Sequence, residues 1–155
     1  MTRGVNLPGW DHEEPSQRPT LAQLRAARAA GLTHIRLPID ERPLQGAAAE
    51  AYLDRLYEQV VLLLSLDFSV SLDLHAGGAI GRRFGADVEG ALDVLSPMWR
   101  QIAGVARRFD PEQVAVELLN EPEFVQEDWL RIVERLRAEV RRLLPDHTIV
   151  VGPSG

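Results

Sequence analysis

Leu118-Leu119-Asn120-Glu121-Pro122 sets an amide and a carboxyl side by side where an apolar run meets a proline. A carboxyl kept protonated in a partly enclosed site can donate to a leaving oxygen, and the neighbouring amide of Asn120 can hold a sugar hydroxyl. The pairing therefore reads as a proton donor for cleaving a glycosidic bond, with an ordinary loop acid as the plain alternative. Pro122 cannot continue a strand ladder and makes the turn after Glu121 abrupt. Glycoside hydrolysis uses two carboxylates, yet the chain reaches Gly155 soon after this motif. Half of a reactive site is the expectation.

Four other positions bear on that chemistry. Arg36 stands between Ile35 and Leu37. A guanidinium buried there needs an acid, with Asp73 and Glu117 equally suited, and Arg36 would then orient Glu121 indirectly. His75 precedes Ala76-Gly77-Gly78, where small residues let a ligand approach and an imidazole can donate to a hydroxyl. Trp10 and His12 follow the first apolar run and can offer a flat ring and a hydrogen bond to a pyranose, although Trp10 serves equally as a packing residue. Trp99 and Trp129 fall on amphipathic stretches and read as packing residues. The four histidines, His12, His34, His75 and His147, lack the paired spacing of a metal site, and no metal or cofactor is expected. Neither Ser71 nor Ser154 sits in a Gly-x-Ser-x-Gly turn, so serine nucleophile chemistry is set aside.

The elements that must position these residues alternate. Short apolar runs at Gly4-Val5-Asn6-Leu7, Thr33 to Ile39, Ser69 to His75, Val114 to Asn120 and Thr148 to Gly152 read as about five strands. Four helices are expected between them. Leu21 to Ala30 has Thr20 as cap and Gly31 as stop; the others cover Ala47 to Leu66, Pro97 to Phe109 and Glu127 to Leu144. This alternation gives an α/β fold with parallel strands, covered on both faces or closed into a barrel. Polar and glycine-rich residues gather after each strand, which is the rim where barrels keep their functional groups, and no glycine-rich phosphate loop follows the first strand. The expectation is a partial (β/α)8 TIM barrel, residues 1–155 forming one truncated domain that lacks about three strands. Period-two alternation puts His34, Arg36 and Pro38 on one face and Ser71, Asp73 and His75 on the face beside it, so the barrel interior should be polar.

Composition narrows the partners. With 17 Lys and Arg against 23 Asp and Glu, the net charge is −6, and no basic cluster offers a nucleic-acid surface. The absence of cysteine removes disulfides and thiolate chemistry without fixing a compartment. The first residues lack the apolar run of a signal peptide and no stretch is long enough to span a bilayer. A soluble chain is expected with no membrane partner, from a parent enzyme whose export is left open.

Arg3-Gly4-Val5-Asn6-Leu7, Gly31-Leu32-Thr33-His34-Ile35-Arg36-Leu37-Pro38, Asp73-Leu74-His75 and Asn120-Glu121-Pro122, in this order, resemble glycoside hydrolase family 5, the cellulase family. The likeness runs through almost the whole chain, and Asn-Glu-Pro is shared across the clan. The resemblance implies a retaining double displacement. Glu121 would be the general acid and then the base that activates water, with Arg36, His75 and Asn120 as supporting and substrate-binding residues and a β-linked oligo- or polysaccharide as substrate. It implies a nucleophilic glutamate on the seventh strand, and no residue here matches it. Glu123 shares the loop of Glu121, and Glu117 lies about 13 Å back along an extended strand at about 3.3 Å per residue, so neither stands across a sugar ring. The isolated chain is therefore expected to be inactive until a missing carboxy-terminal half-barrel, or self-association through the open fifth strand, completes it. The alternatives are a non-catalytic carbohydrate-binding or interaction half-barrel and a gene fragment.

Overall fold

The computed structural model describes residues 3–154. Met1, Thr2 and Gly155 lie outside it, as do the surroundings of Gly77 and Gly78, on which the expected ligand approach after His75 fell. Five strands, β1 (Gly4–Asn6), β2 (His34–Ile39), β3 (Ser69–Leu74), β4 (Val114–Glu117) and β5 (Ile149–Val150), pair in parallel in the spatial order β1-β2-β3-β4-β5. Every strand lies beside its neighbour in sequence. A doubly wound sheet reverses its strand order at a switch point, whereas a barrel winds in one direction, so this order identifies part of a (β/α)8 barrel.

Helices α1 (Leu21–Ala29), α2 (Glu41–Leu44), α3 (Ala49–Ser65), α4 (Gly77–Phe84), α5 (Val88–Ala106) and α6 (Gln126–Leu143) connect the strands. Thr20 caps α1 as the sequence suggests: Gln23 N donates to Thr20 Oγ1 at 3.3 Å while Thr20 N donates to Gln23 Oε1 at 2.8 Å, and Gly31 ends the turn at φ +91°. Among the described residues six α-helices stand where four were expected. The short α2 starts on the Asp40 side chain, which accepts from Arg42 N at 2.9 Å, and α4 occupies the glycine-rich stretch after His75. Helix α5 begins at Val88, capped by Asp87, not at Pro97. The sequence suggests Pro97 as the helix start, but its ring lies on the exposed face of a helix whose other side is buried through Leu92, Leu95, Met98 and Trp99. That burial offsets the hydrogen bond lost at Pro97.

The two sheet faces differ in chemistry. Ile35, Leu37, Ile39, Val70, Leu72, Leu74, Val114 and Val116 point to the helices and are all buried. The opposite face, which is the barrel interior, carries Asn6, His34, Arg36, Ser69, Ser71, Asp73 and Glu117. Barrel interiors are commonly filled by branched aliphatics; this one is polar, as the alternation indicated. At its floor His34 bridges two hydroxyls, Nδ1 to Ser69 Oγ at 2.9 Å and Nε2 to Ser71 Oγ at 3.0 Å, and burial lowers its pKa, which favours the neutral ring.

All three tryptophans serve the rim. Their indole N–H groups donate to Pro38 O at 2.7 Å, Leu118 O at 3.0 Å and Gly152 O at 3.0 Å, from Trp10, Trp99 and Trp129 respectively. Each accepting carbonyl lies at or just past the carboxyl end of a strand, so buried rings brace the edge on which the polar residues collect.

Candidate active site

Arg36 is the hub. Its Nε and Nη2 donate to the two oxygens of Glu117, both at 2.8 Å, in the bidentate geometry that makes guanidinium–carboxylate pairs strong. Nη1 lies 2.9 Å from Asp73 Oδ2 and donates to Asn6 Oδ1 at 3.3 Å. The two acids weighed as alternative partners are thus both present. Hydrogen bonding to Glu117 is the main cause that raises the Arg36 pKa. Asp73 is fully buried, and neither of its oxygens accepts an aligned hydrogen bond among the described residues. Burial pushes its carboxyl up to about 7 against the pull of Arg36, and the charges of Glu117 and Glu121 add to the rise.

Asn120 and Glu121 follow β4. Strand pairing ends at Glu117, three residues earlier than the sequence run suggested, but Asn120 N still donates to Leu74 O at 2.9 Å. The Asn120 side-chain oxygen accepts from Arg36 Nη2 at 3.0 Å, which fixes the amide orientation and leaves its NH2 donors for a ligand. Glu121 has φ +44°, a left-handed conformation that costs a residue with a side chain about 1 kcal/mol or more. Strain of this kind collects at functional positions. Pro122 and Phe124 behind it are buried, and the Phe124 ring stacks on Trp129 at 6.2 Å, so the loop is anchored on both sides of Glu123.

Glu121 lines an open groove of about 500 Å³ with Glu117, Leu119, Asn120, Glu123 and Gly152 to Ser154. Glu121 is exposed among the described residues, where the sequence suggested partial enclosure. Glu117 shares this groove because the chain turns after β4, but both of its oxygens are held by Arg36. Glu123 pairs with Arg82 at 3.1 Å, which ties the Glu121 loop to α4.

His75 closes β3 at the rim, its backbone N donating to Ile39 O at 2.8 Å, its side chain 44% exposed and its Nε2 3.7 Å from Asp73 Oδ2. Trp10 requires a correction as a sugar platform. It is 3% exposed and packs against Tyr52 with ring centroids 5.5 Å apart, so it has no open face; the packing role prevails because its N–H is needed at Pro38. His12 is exposed, its Nδ1 accepting from Glu14 N at 3.1 Å, and it lies in a groove that shares Asp11, Asp40 and Arg42 with the groove of His75. Tyr52 escaped the sequence reading. Its hydroxyl donates to Asp11 Oδ2 and accepts from Asp40 N, both at 3.0 Å, joining the first two rim loops. Only its helical spacing was legible, as a core position. Among the described residues, no group of three or more His, Asp or Glu side chains is arranged to hold a metal ion, and no helix is long and apolar enough to cross a membrane.

Comparison with solved structures agrees with this architecture. The chain superposes on the cellulose synthase subunit Z of Clostridioides difficile (TM-score 0.79, 24% identity, all of this chain and 53% of that one). It is similar to Thermotoga maritima Cel5A, solved with mannotriose (TM-score 0.82, 21% identity, 99% and 52%), and to a broad-specificity endoglucanase from Clostridium longisporum (TM-score 0.83, 17% identity, 100% and 55%). At these identities the likeness establishes the fold, and the chain spans about half the length of each. No curated protein sequence matches it. Residues 2–155 match the family described as cellulase, glycosyl hydrolase family 5, and the chain belongs to that family.

Proposed function

We propose that this chain carries the acid/base side of a retaining β-glycosidase site that acts on β-glucans or related β-linked glycans. Glu121 protonates the glycosidic oxygen as the bond breaks and then takes a proton from the water that releases the sugar. Asn120 and His75 contact substrate hydroxyls, Arg36 holds Asn120 in place, and His12 lies farther along the rim. Residues 1–155 act as one part of a barrel, and the opposing nucleophilic carboxylate comes from a segment or partner that completes it. The observation that carries the reading is the bond from Arg36 to Asn120: an ion pair inside the barrel orients a free amide donor beside a strained, solvent-facing glutamate at a strand's carboxyl end. The structures solved with mannotriose and cellotetraose are of other proteins, and they motivate cellotetraose as the probe.

Two measurements test it. Cellotetraose titrated into the 15N-labelled chain should shift the amide signals of Asn120, Glu121 and His75; no response there at millimolar sugar would overturn the site. With a fluorogenic β-cellobioside, the chain and Glu121→Ala should give the same background rate. Turnover lost in Glu121→Ala would refute the half-site, since a second carboxylate from this chain or a copy would then be in place.

A further inference from the structure

Arg36 faces more acid than one cation neutralises. Its N–H groups are aligned on Glu117, Asn120 and Asn6, Glu121 stands within electrostatic reach, and Asp73 is left with proximity alone. A fully buried carboxyl with no aligned donor is more stable with its proton than without it. That proton can point to the imidazole of His75, whose Nε2 is 3.7 Å from Asp73 Oδ2, and a small rotation of the half-exposed ring would close that gap.

We propose that Asp73 is a positioning residue for His75: its buried carboxyl decides which ring nitrogen of His75 carries the hydrogen, and so whether the ring meets a sugar hydroxyl as donor or acceptor. The inference rests on the reading of His75 as a substrate contact. With its proton, Asp73 donates to Nε2, and the neutral ring then carries its hydrogen on Nδ1 as a donor for the ligand. Once that proton is lost to solvent, the carboxylate accepts from Nε2–H, and Nδ1 is left as an acceptor. The charged groups around the pair come from three elements: Arg36 on β2, Glu117 and Glu121 at the end of β4, and Asp40 after β2. Asp40 is held ionised because its bonds to Arg42 outweigh the effect of burial, so it stays a constant charge while Asp73 titrates. The rise of the Asp73 carboxyl to about 7 places the change near neutral pH.

The test uses the 155-residue chain labelled with 15N-histidine, whose long-range 1H–15N spectra distinguish the two tautomers, from pH 6 to 8.5. In the wild type the neutral ring of His75 should change from mainly Nδ1–H to mainly Nε2–H across pH 7. In Asp73→Asn, Arg36 draws the new carbonyl oxygen into the place of Oδ2, His75 meets only an acceptor, and Nε2–H should dominate throughout. A single tautomer across the range in the wild type, or the same change in Asp73→Asn, would overturn the proposal. The ring signals of His34 and His147 report whether the variant is folded; if it is not, the wild-type series decides alone. No sugar enters this measurement, so failure of the cellotetraose titration and failure of this inference are separate results.

Discussion

Asp73→Asn should also change how stability depends on pH. Asp73 is fully buried, and its carboxyl is raised from 3.8 to about 7 in the folded chain. A raised folded-state pKa means that the unfolded chain ionises first, so the contribution of Asp73 to stability is complete below pH 3.8 and is lost as pH rises toward 7. Between pH 5 and pH 7 the loss runs at about 1.4 kcal/mol per pH unit and flattens as the folded-state carboxyl itself ionises, which gives about 2.3 kcal/mol over the interval. Asparagine is close in shape and does not ionise. The stability of Asp73→Asn relative to wild type should therefore rise by about that amount over this interval and level off above pH 7. The difference matters because surface carboxylates paired with arginine drive total stability the other way, and subtraction cancels them. Urea denaturation of both proteins at half-unit steps from pH 5 to 8 supplies the comparison. A constant gap would mean that Arg36 keeps Asp73 ionised throughout, and the view of Asp73 as a surplus acid would fall.

Glu121→Gly should stabilise the chain by about 1 kcal/mol in urea denaturation, because glycine adopts φ +44° without strain, while the proposed acid is lost; a less stable variant would show that the position is not strained. Glu117→Ala leaves the half-buried Arg36 without its bidentate partner and should cost about 2 kcal/mol, a figure reduced for partial solvent access. The same variant should broaden the Asn120 side-chain amide signals, and unchanged signals would refute the coupling. Trp10→Ala should cost about 3 kcal/mol or more through the cavity left beside Tyr52. Trp10→Phe, losing the bond to Pro38 and part of the ring volume, should cost less, about 1–2 kcal/mol. Thermal melts unaffected by either change would restore Trp10 as a surface platform.

Much of the fold was legible because the signals are local. Thr20, Gly31 and the alternation in β2 and β3 act within a few residues, and they marked α1 and the polar interior correctly. Two short helices and the start of α5 were missed for the opposite reason: Pro97 in a helix interior is tolerated only because the far side of α5 is buried, and burial is not a local property. The site divides in the same way. Asn120-Glu121-Pro122 at the end of an apolar run singled out the proposed acid from residue type and order, and the need of Arg36 for an acid followed from burying a guanidinium.

What only the tertiary structure decided is how charge is shared. Arg36 is 81 residues from Glu117 and 84 from Asn120, so no local spacing shows that it meets Glu117, Asp73, Asn6 and Asn120 together, or that Asp73 is left over with a raised pKa. The same holds for Trp10, whose indole could equally face a sugar or the core until the carbonyl of Pro38 lay opposite it. Sequence order determines which groups a strand presents at its end. Strand register and burial determine which of them find a partner, because desolvation and hydrogen bonding depend on neighbours brought together from distant parts of the chain.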